Sequence, residues 1–124
     1  LITKYRLNEF IILKGSVNNV HQYMQHFYAT ILSSKSESFP NVIAESMLSG
    51  TPVVATDVGD SRLIIGNTGF VVPPRSSRHL VKGCLKLLDL NKNQNDLLSK
   101  EAIKRIEREF SLDKMVKNFE SHYE

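Results

Sequence analysis

The sequence predicts an α/β fold, a mostly parallel sheet flanked by helices. Apolar runs of strand length alternate along the chain with stretches of helical periodicity, the order expected when each strand is followed by a helix that covers the sheet. The runs are also continuously apolar rather than alternating, as suits strands covered on both faces. At 124 residues the chain reads as a single domain, long enough to bury about two thirds of the surface its unfolded form would expose.

The strand candidates, in chain order, are Phe10 to Leu13, Ala29 to Ser33, Pro52 to Thr56 and Phe70 to Val72. A helix is expected from Val17 to Phe27, between the first two. The next starts near Pro40 and stops before Gly50, with Pro52 behind it as a second stop signal. On that helix Ile43, Ala44, Met47 and Leu48 form one stripe, and Asn41, Glu45 and Ser49, spaced by four, form another. Glu45 therefore need not enter the core and can face a crevice at the sheet edge. Further on, Leu80, Val81, Cys84, Leu87 and Leu88 line one helical face, with Arg78, Lys82 and Lys86 outside it. Asn91 to Asn95 reads as a polar break, followed by a helix from Asp96 to about Glu109. Ser111 would cap a last helix carrying Met115, Val116, Phe119 and Tyr123.

Composition excludes several function classes. The net charge of +3 is too small to argue for nucleic acid, although the basic residues suit an anionic ligand or an acidic lipid surface. One cysteine, Cys84, rules out an internal disulfide and fits a reducing compartment; on its apolar face it reads as a core residue. No apolar run approaches the roughly 18 residues a membrane span needs, and no stretch reads as a signal peptide. The chain opens on Leu1, inside what looks like the end of a helix, and is expected to be a piece of something longer. The spacings of His21, His26, His79 and His122 lack the paired ligands of a zinc helix. No serine sits in a nucleophile elbow, and neither a P-loop nor a dinucleotide fingerprint is present.

In doubly wound sheets, ligands bind outside the carboxyl ends of the strands. Three loops leave such ends: Lys14 to Val17, Ser34 to Asn41, and Asp57 to Arg62. Singly, each reads as an ordinary turn. The middle loop and the helix after it, however, place Glu37 and Glu45 on either side of a helix start marked by Pro40. Free N–H groups and a positive dipole end make such a start ready for phosphate. A carboxylate before it and another inside the helix could accept hydrogen bonds from sugar hydroxyls on both sides of a diphosphate. That combination describes a nucleotide-sugar site.

These residues resemble the donor-binding core of GT-B glycosyltransferases, specifically the retaining family 4 known as glycosyl transferases group 1. Ser34 to Met47 carries the family's E-x7-E, Gly50-Thr51-Pro52-Val53-Val54-Ala55-Thr56 its G-x-P-V-V-A-T, and Asn67 to Pro74 its N-x-G-x-L-V-P-P. Phe110-Ser111 fits its helix before the C-terminus. The likeness runs from about residue 7 to the end. It implies a Rossmann-like parallel sheet flanked by helices, with residues 1–124 forming part of a C-terminal donor-binding domain.

Carried over position by position, the resemblance makes Glu37 the residue on the catalytic side, in contact with the donor sugar's hydroxyls. Backbone amides between Ser38 and Val42 (Ser38, Phe39, Pro40, Asn41, Val42) would hold sugar and diphosphate oxygens. Glu45 would hold the ribose hydroxyls, and Gly15, Ser16 and Val17 would lie beside the base. The family usually has glycine where this chain has Ser38; if that position needs a positive φ, serine adds strain of order a kcal/mol, or else the loop sits slightly differently.

The activity implied is transfer of a hexose from a nucleoside-diphosphate sugar, UDP-linked, with retention, to an acceptor hydroxyl in glycan, polysaccharide or glycolipid synthesis. No metal or cofactor is required, because helix dipole and basic side chains can meet the leaving charge. The partners implied are the nucleotide sugar and an acceptor glycan or lipid-linked sugar held by an N-terminal domain, with no nucleic acid. The parent is expected in the cytoplasm, peripheral at the inner face of the membrane, and the piece alone is expected to be inactive. The alternatives are a non-catalytic nucleotide-sugar module and a GT-B-type sugar-nucleotide epimerase. The resembled strand order is 3-2-1-4-5-6, which makes Phe10 to Leu13 the third strand and Ala29 to Ser33 the fourth. A compact chain should pair these two directly across a right-handed crossover; one keeping the parent geometry should leave a slot between them.

Overall fold

A computed structural model of the chain describes residues 1–111. Three parallel strands, β1 (Thr30–Leu32), β2 (Val53–Thr56) and β3 (Phe70–Val72), form one sheet in the order β1-β2-β3. Thr30 stands opposite Val53, and Val54 opposite Phe70. Each connection runs through a helix: α2 (Asn41–Leu48) joins β1 to β2, and α3 (Ser61–Ile65) joins β2 to β3. A short α1 (Val20–Met24) precedes the sheet, and α4 (Ser77–Leu88) and α5 (Lys92–Glu109) follow it.

The central strand explains the unbroken apolar pattern, since all four of its residues are buried. Val53 and Ala55 join Ile43, Met47, Ile64, Ile65, Ala102 and Ile106 in one core, which packs α2, α3 and α5 on one face of the sheet. The alternate residue, Val54, faces α4 on the other. There Gly83 lets the helix come so close that an added Cβ would stand 2.8 Å from the Cγ1 atoms of both Val54 and Val72.

Phe10 to Leu13 is not a strand. The N–H groups of Phe10 and Ile11 both donate to Leu7 O, each at 3.0 Å, so the run begins as a turn and takes no place in the sheet. Among the described residues β1 has a single neighbour, β2. Neither the direct pairing nor the slot therefore forms. The expected helix over 17–27 contracts to α1, and Leu1 to Tyr5 is a turn closed by Tyr5 N–H on Leu1 O at 3.0 Å.

Other differences have local causes. The face of α4 is rotated from the expected one: Gly83 and Leu87 are buried, while Val81 and Leu88 are exposed. The supposed polar break at 91–95 starts α5, because Asn91 accepts from Gln94 N–H at 2.9 Å while the Gln94 side chain accepts from Asn91 N–H at 2.9 Å. That reciprocal capping box satisfies two donors at the helix start. Helix α3 was not expected at all. The helix expected after Ser111 lies outside the described residues.

Candidate functional site

Helix α2 carries Glu45 and the loop ahead of it carries Glu37, and the sequence lets this helix start beside the sheet's carboxyl edge. Pro40 occupies the N-cap and lacks the N–H that would otherwise need a partner there. Ser46, buried on the inner side, is hydrogen-bonded through Oγ to Thr30 Oγ1 at 2.7 Å and to Thr51 O at 3.2 Å, tying the helix to the start of β1 and to the turn before β2. Ile43 and Met47 are buried in the core. Glu45, on the opposite stripe, is exposed.

The loop ahead of α2 is held from below. Thr56, at the end of β2, donates to Ser34 O at 2.7 Å. Ser34 in turn donates through Oγ to Glu37 Oε1 at 2.7 Å, which orients the carboxylate, and among the described residues its second oxygen meets no donor. The Phe39 ring packs against Phe110 at the end of α5, with centroids 6.2 Å apart and planes tilted by 56°. Ser38 is not among the residues with positive φ, so serine at this position carries no left-handed strain.

The helix start is electrostatically open. No side chain caps it, and its first turn contains no acidic residue. Among the described residues the N–H groups of Ser38, Phe39, Asn41 and Val42 donate to no protein acceptor. Unpaired donors and the helix dipole together favour an anion at that end.

The expected residues fall into two groups. Glu45 lines an open cleft of about 580 Å³ together with Val17, Asn18, Asn19, Val20, His21, Leu48 and Ser49. Val17 and Glu45 are thus brought together, whereas Gly15 and Ser16 are not among the residues that line this cleft. Glu37 and Ser38 belong instead with the β2–α3 turn, where Asp60 N–H donates to Ser38 O at 3.0 Å. That turn is itself braced by Arg62, which donates to Asp57 Oδ2 from Nε at 3.0 Å and from Nη2 at 2.7 Å. The hydrogen bond and charge of Asp57 raise the Arg62 guanidinium above its already high ordinary range.

Sequence reasoning missed Asn18, Asn19 and His21 as neighbours of Glu45. It also missed a second cleft of about 540 Å³ above the strand ends, lined by Lys35, Thr56, Arg75 and the start of α4. Only the tertiary packing of α1 on α2 and of α4 on the sheet brings these residues together, so no local pattern marks them. Among the described residues no three His, Cys, Asp or Glu side chains are grouped to hold a metal ion.

The family model described as "Glycosyl transferases group 1" matches residues 1–90. The Vi polysaccharide biosynthesis protein VipC/TviE of Salmonella typhi is 28% identical over 116 residues, which cover 90% of this chain and 20% of that protein. The chain thus spans about a fifth of the length of this curated relative. Among solved structures, sucrose-phosphate synthase from Thermosynechococcus elongatus superposes with a TM-score of 0.85 at 23% identity, covering 98% of this chain and 31% of that one. A glycosyltransferase from Rickettsia africae gives 0.84 at 23% identity, covering 98% and 33%. A TarM mutant from S. aureus, in complex with Fondaparinux, alpha-GlcNAc-glycerol and UDP, gives 0.82 at 21% identity, covering 97% and 25%. At these identities the likeness to solved structures shows a shared fold.

Proposed function

The chain belongs to the glycosyl transferases group 1 family, and from that premise we propose that it forms part of the donor-binding domain of a retaining family 4 enzyme, transferring a hexose from a UDP-sugar. The observation that carries this reading is a helix start with Glu37 before it and Glu45 inside it, where four N–H groups ahead of and within the first turn meet no acceptor among the described residues. The N–H groups of Ser38, Phe39, Asn41 and Val42 take the sugar and diphosphate oxygens, Glu37 the sugar hydroxyls, and Glu45 the ribose hydroxyls. Val17, across the cleft from Glu45, takes the base with Gly15 and Ser16 in the adjoining segment.

Chemically, the bond from the anomeric carbon to the diphosphate oxygen breaks, the acceptor hydroxyl oxygen bonds that carbon on the same face, and the hydroxyl proton passes to the departing diphosphate. Negative charge grows on the leaving diphosphate as this happens. Donors already aimed at that charge stabilise it more in the transition state than in the ground state. No metal is invoked in this reading. The acceptor, a glycan or lipid-linked sugar, is held by another domain of the whole protein. The name of the Salmonella typhi relative supports a role in polysaccharide biosynthesis, and the UDP in the TarM complex supports the choice of nucleotide. Among the described residues no helix is long and apolar enough to cross a membrane; the proposed location is the cytoplasm, peripheral at the inner membrane face.

Calorimetric titration of the full-length protein with UDP, GDP and ADP tests the reading. UDP should bind, and Glu45→Ala should weaken it. Failure of all three diphosphates to bind would overturn the reading.

A further inference from the structure

Gly59 sits in the β2–α3 turn with φ +50, and its Cα lies against the backbone of the Glu37 loop. A Cβ there would fall inside contact distance of the carbonyl oxygens of both Glu37 and Ser38, and 2.8 Å from the Glu37 carbonyl carbon. These are backbone atoms, which cannot swing aside as a side-chain end can. The next residue, Asp60, donates its N–H to Ser38 O at 3.0 Å. The turn therefore lies directly on two consecutive carbonyls.

A trans peptide unit is planar, so its N–H points opposite to its C=O. With the carbonyls of Glu37 and Ser38 turned toward Gly59 and Asp60, the N–H groups of Ser38 and Phe39 are turned away from them. Those are two of the donors that meet no protein acceptor among the described residues. We propose that Gly59 is a positioning residue: by lacking a Cβ it lets the β2–α3 turn press on these carbonyls and so aims the Ser38 and Phe39 N–H groups at the diphosphate and sugar. This rests on the donor-site reading above.

The control is Gly50, which has a similar φ of +73 but whose added Cβ would stand 3.5 Å from Ile103 Cδ1, an ordinary contact. Alanine at either position bears left-handed strain, and only Gly59→Ala also displaces the Glu37–Ser38 backbone. In the full-length protein the affinities for UDP and for uridine are measured for wild type and both variants. The ratio of the two isolates the diphosphate contribution, which a general loss of stability does not change. Gly59→Ala should cut the advantage of UDP over uridine by about tenfold, with uridine affinity held within about twofold, as for the loss of one net charge-assisted hydrogen bond. Gly50→Ala should keep the wild-type ratio.

An unchanged ratio in Gly59→Ala overturns the proposal and leaves the donor-site reading standing. Wild type binding UDP no more tightly than uridine overturns both. Should Gly59→Ala fail to fold, amide exchange in wild type decides. UDP should protect the Ser38 and Phe39 amides, and free exchange there under saturating UDP overturns the proposal.

Discussion

The guanidinium of Arg105 donates from Nε to Ile64 O at 2.8 Å, joining positions 41 residues apart, while its Nη2 reaches Leu63 O at 2.7 Å. A side chain of α5 thus closes the C-terminal end of α3, a helix too short to hold itself together in water. Helix-end carbonyls left without an intrahelical donor favour such a cation. Arg105→Met keeps most of the aliphatic stem and removes both bonds. It should cost about 1–2 kcal/mol, given that Arg105 is partly buried. Thermal melting reads this as a lower midpoint, and an unchanged midpoint would mean that water serves the two carbonyls equally well.

Gly83 sets two effects against each other. Alanine is the better helix former by about 1 kcal/mol. Its methyl, however, would stand 2.8 Å from Cγ1 of both Val54 and Val72, which are buried in the sheet, and overpacking of this kind costs about 1–3 kcal/mol. The steric effect should win, so Gly83→Ala should lower the urea midpoint. A raised midpoint would show that α4 can lift off the sheet without penalty.

The two glutamates should separate in kinetics. Ribose contacts act equally in ground and transition states, so Glu45→Ala should weaken donor binding. Contacts at the reacting sugar strengthen along the reaction, so Glu37→Ala should mainly lower kcat. Each loss should be about 1.5–3 kcal/mol, the worth of a hydrogen bond to a charged group. Wild-type kinetics in both variants would remove these residues from the site.

Much of this was legible in the chain. The three paired strands announce themselves as short apolar runs, although only β2 is buried throughout and Ile31 of β1 is exposed. Phe10 to Leu13 is just as apolar and was misread, since strand formation depends on a neighbour as well as on composition. Helix α3 was hidden because five residues are too few to show a period. The start of α5 was hidden by asparagines that look like a break, although Asn91 with Gln94 three residues on has the spacing of a capping box. The site glutamates stand out by their spacing around Pro40. The approach of Gly59 to their loop is visible only in three dimensions, because it joins segments on either side of β2.

The misread segment has a physical consequence. Phe10, Ile12 and Leu13 are 79%, 76% and 81% exposed, and β1 leaves one edge unpaired among the described residues. An apolar run and an open edge together favour association. Static light scattering on the isolated 124-residue chain should show mass rising with concentration, and the double substitution Phe10→Lys, Ile12→Lys should reduce it. A concentration-independent monomer mass for the unaltered chain would contradict this.

The three strands pair in chain order, each across one short helix, whereas Ala102 and Ile106 of α5 reach back to Ile43 and Met47 of α2. Closing the longer loop costs more entropy than closing either short one, so local opening that undocks α5 can leave the sheet paired. Phe39 would lose Phe110 in that event, and Ile64 would lose Arg105. Undocking of α5 would thus free one side of the loop that carries Glu37 and Phe39. A ligand that orders this loop would also hold α5 more firmly to the rest, so occupancy of the site and docking of α5 are linked equilibria.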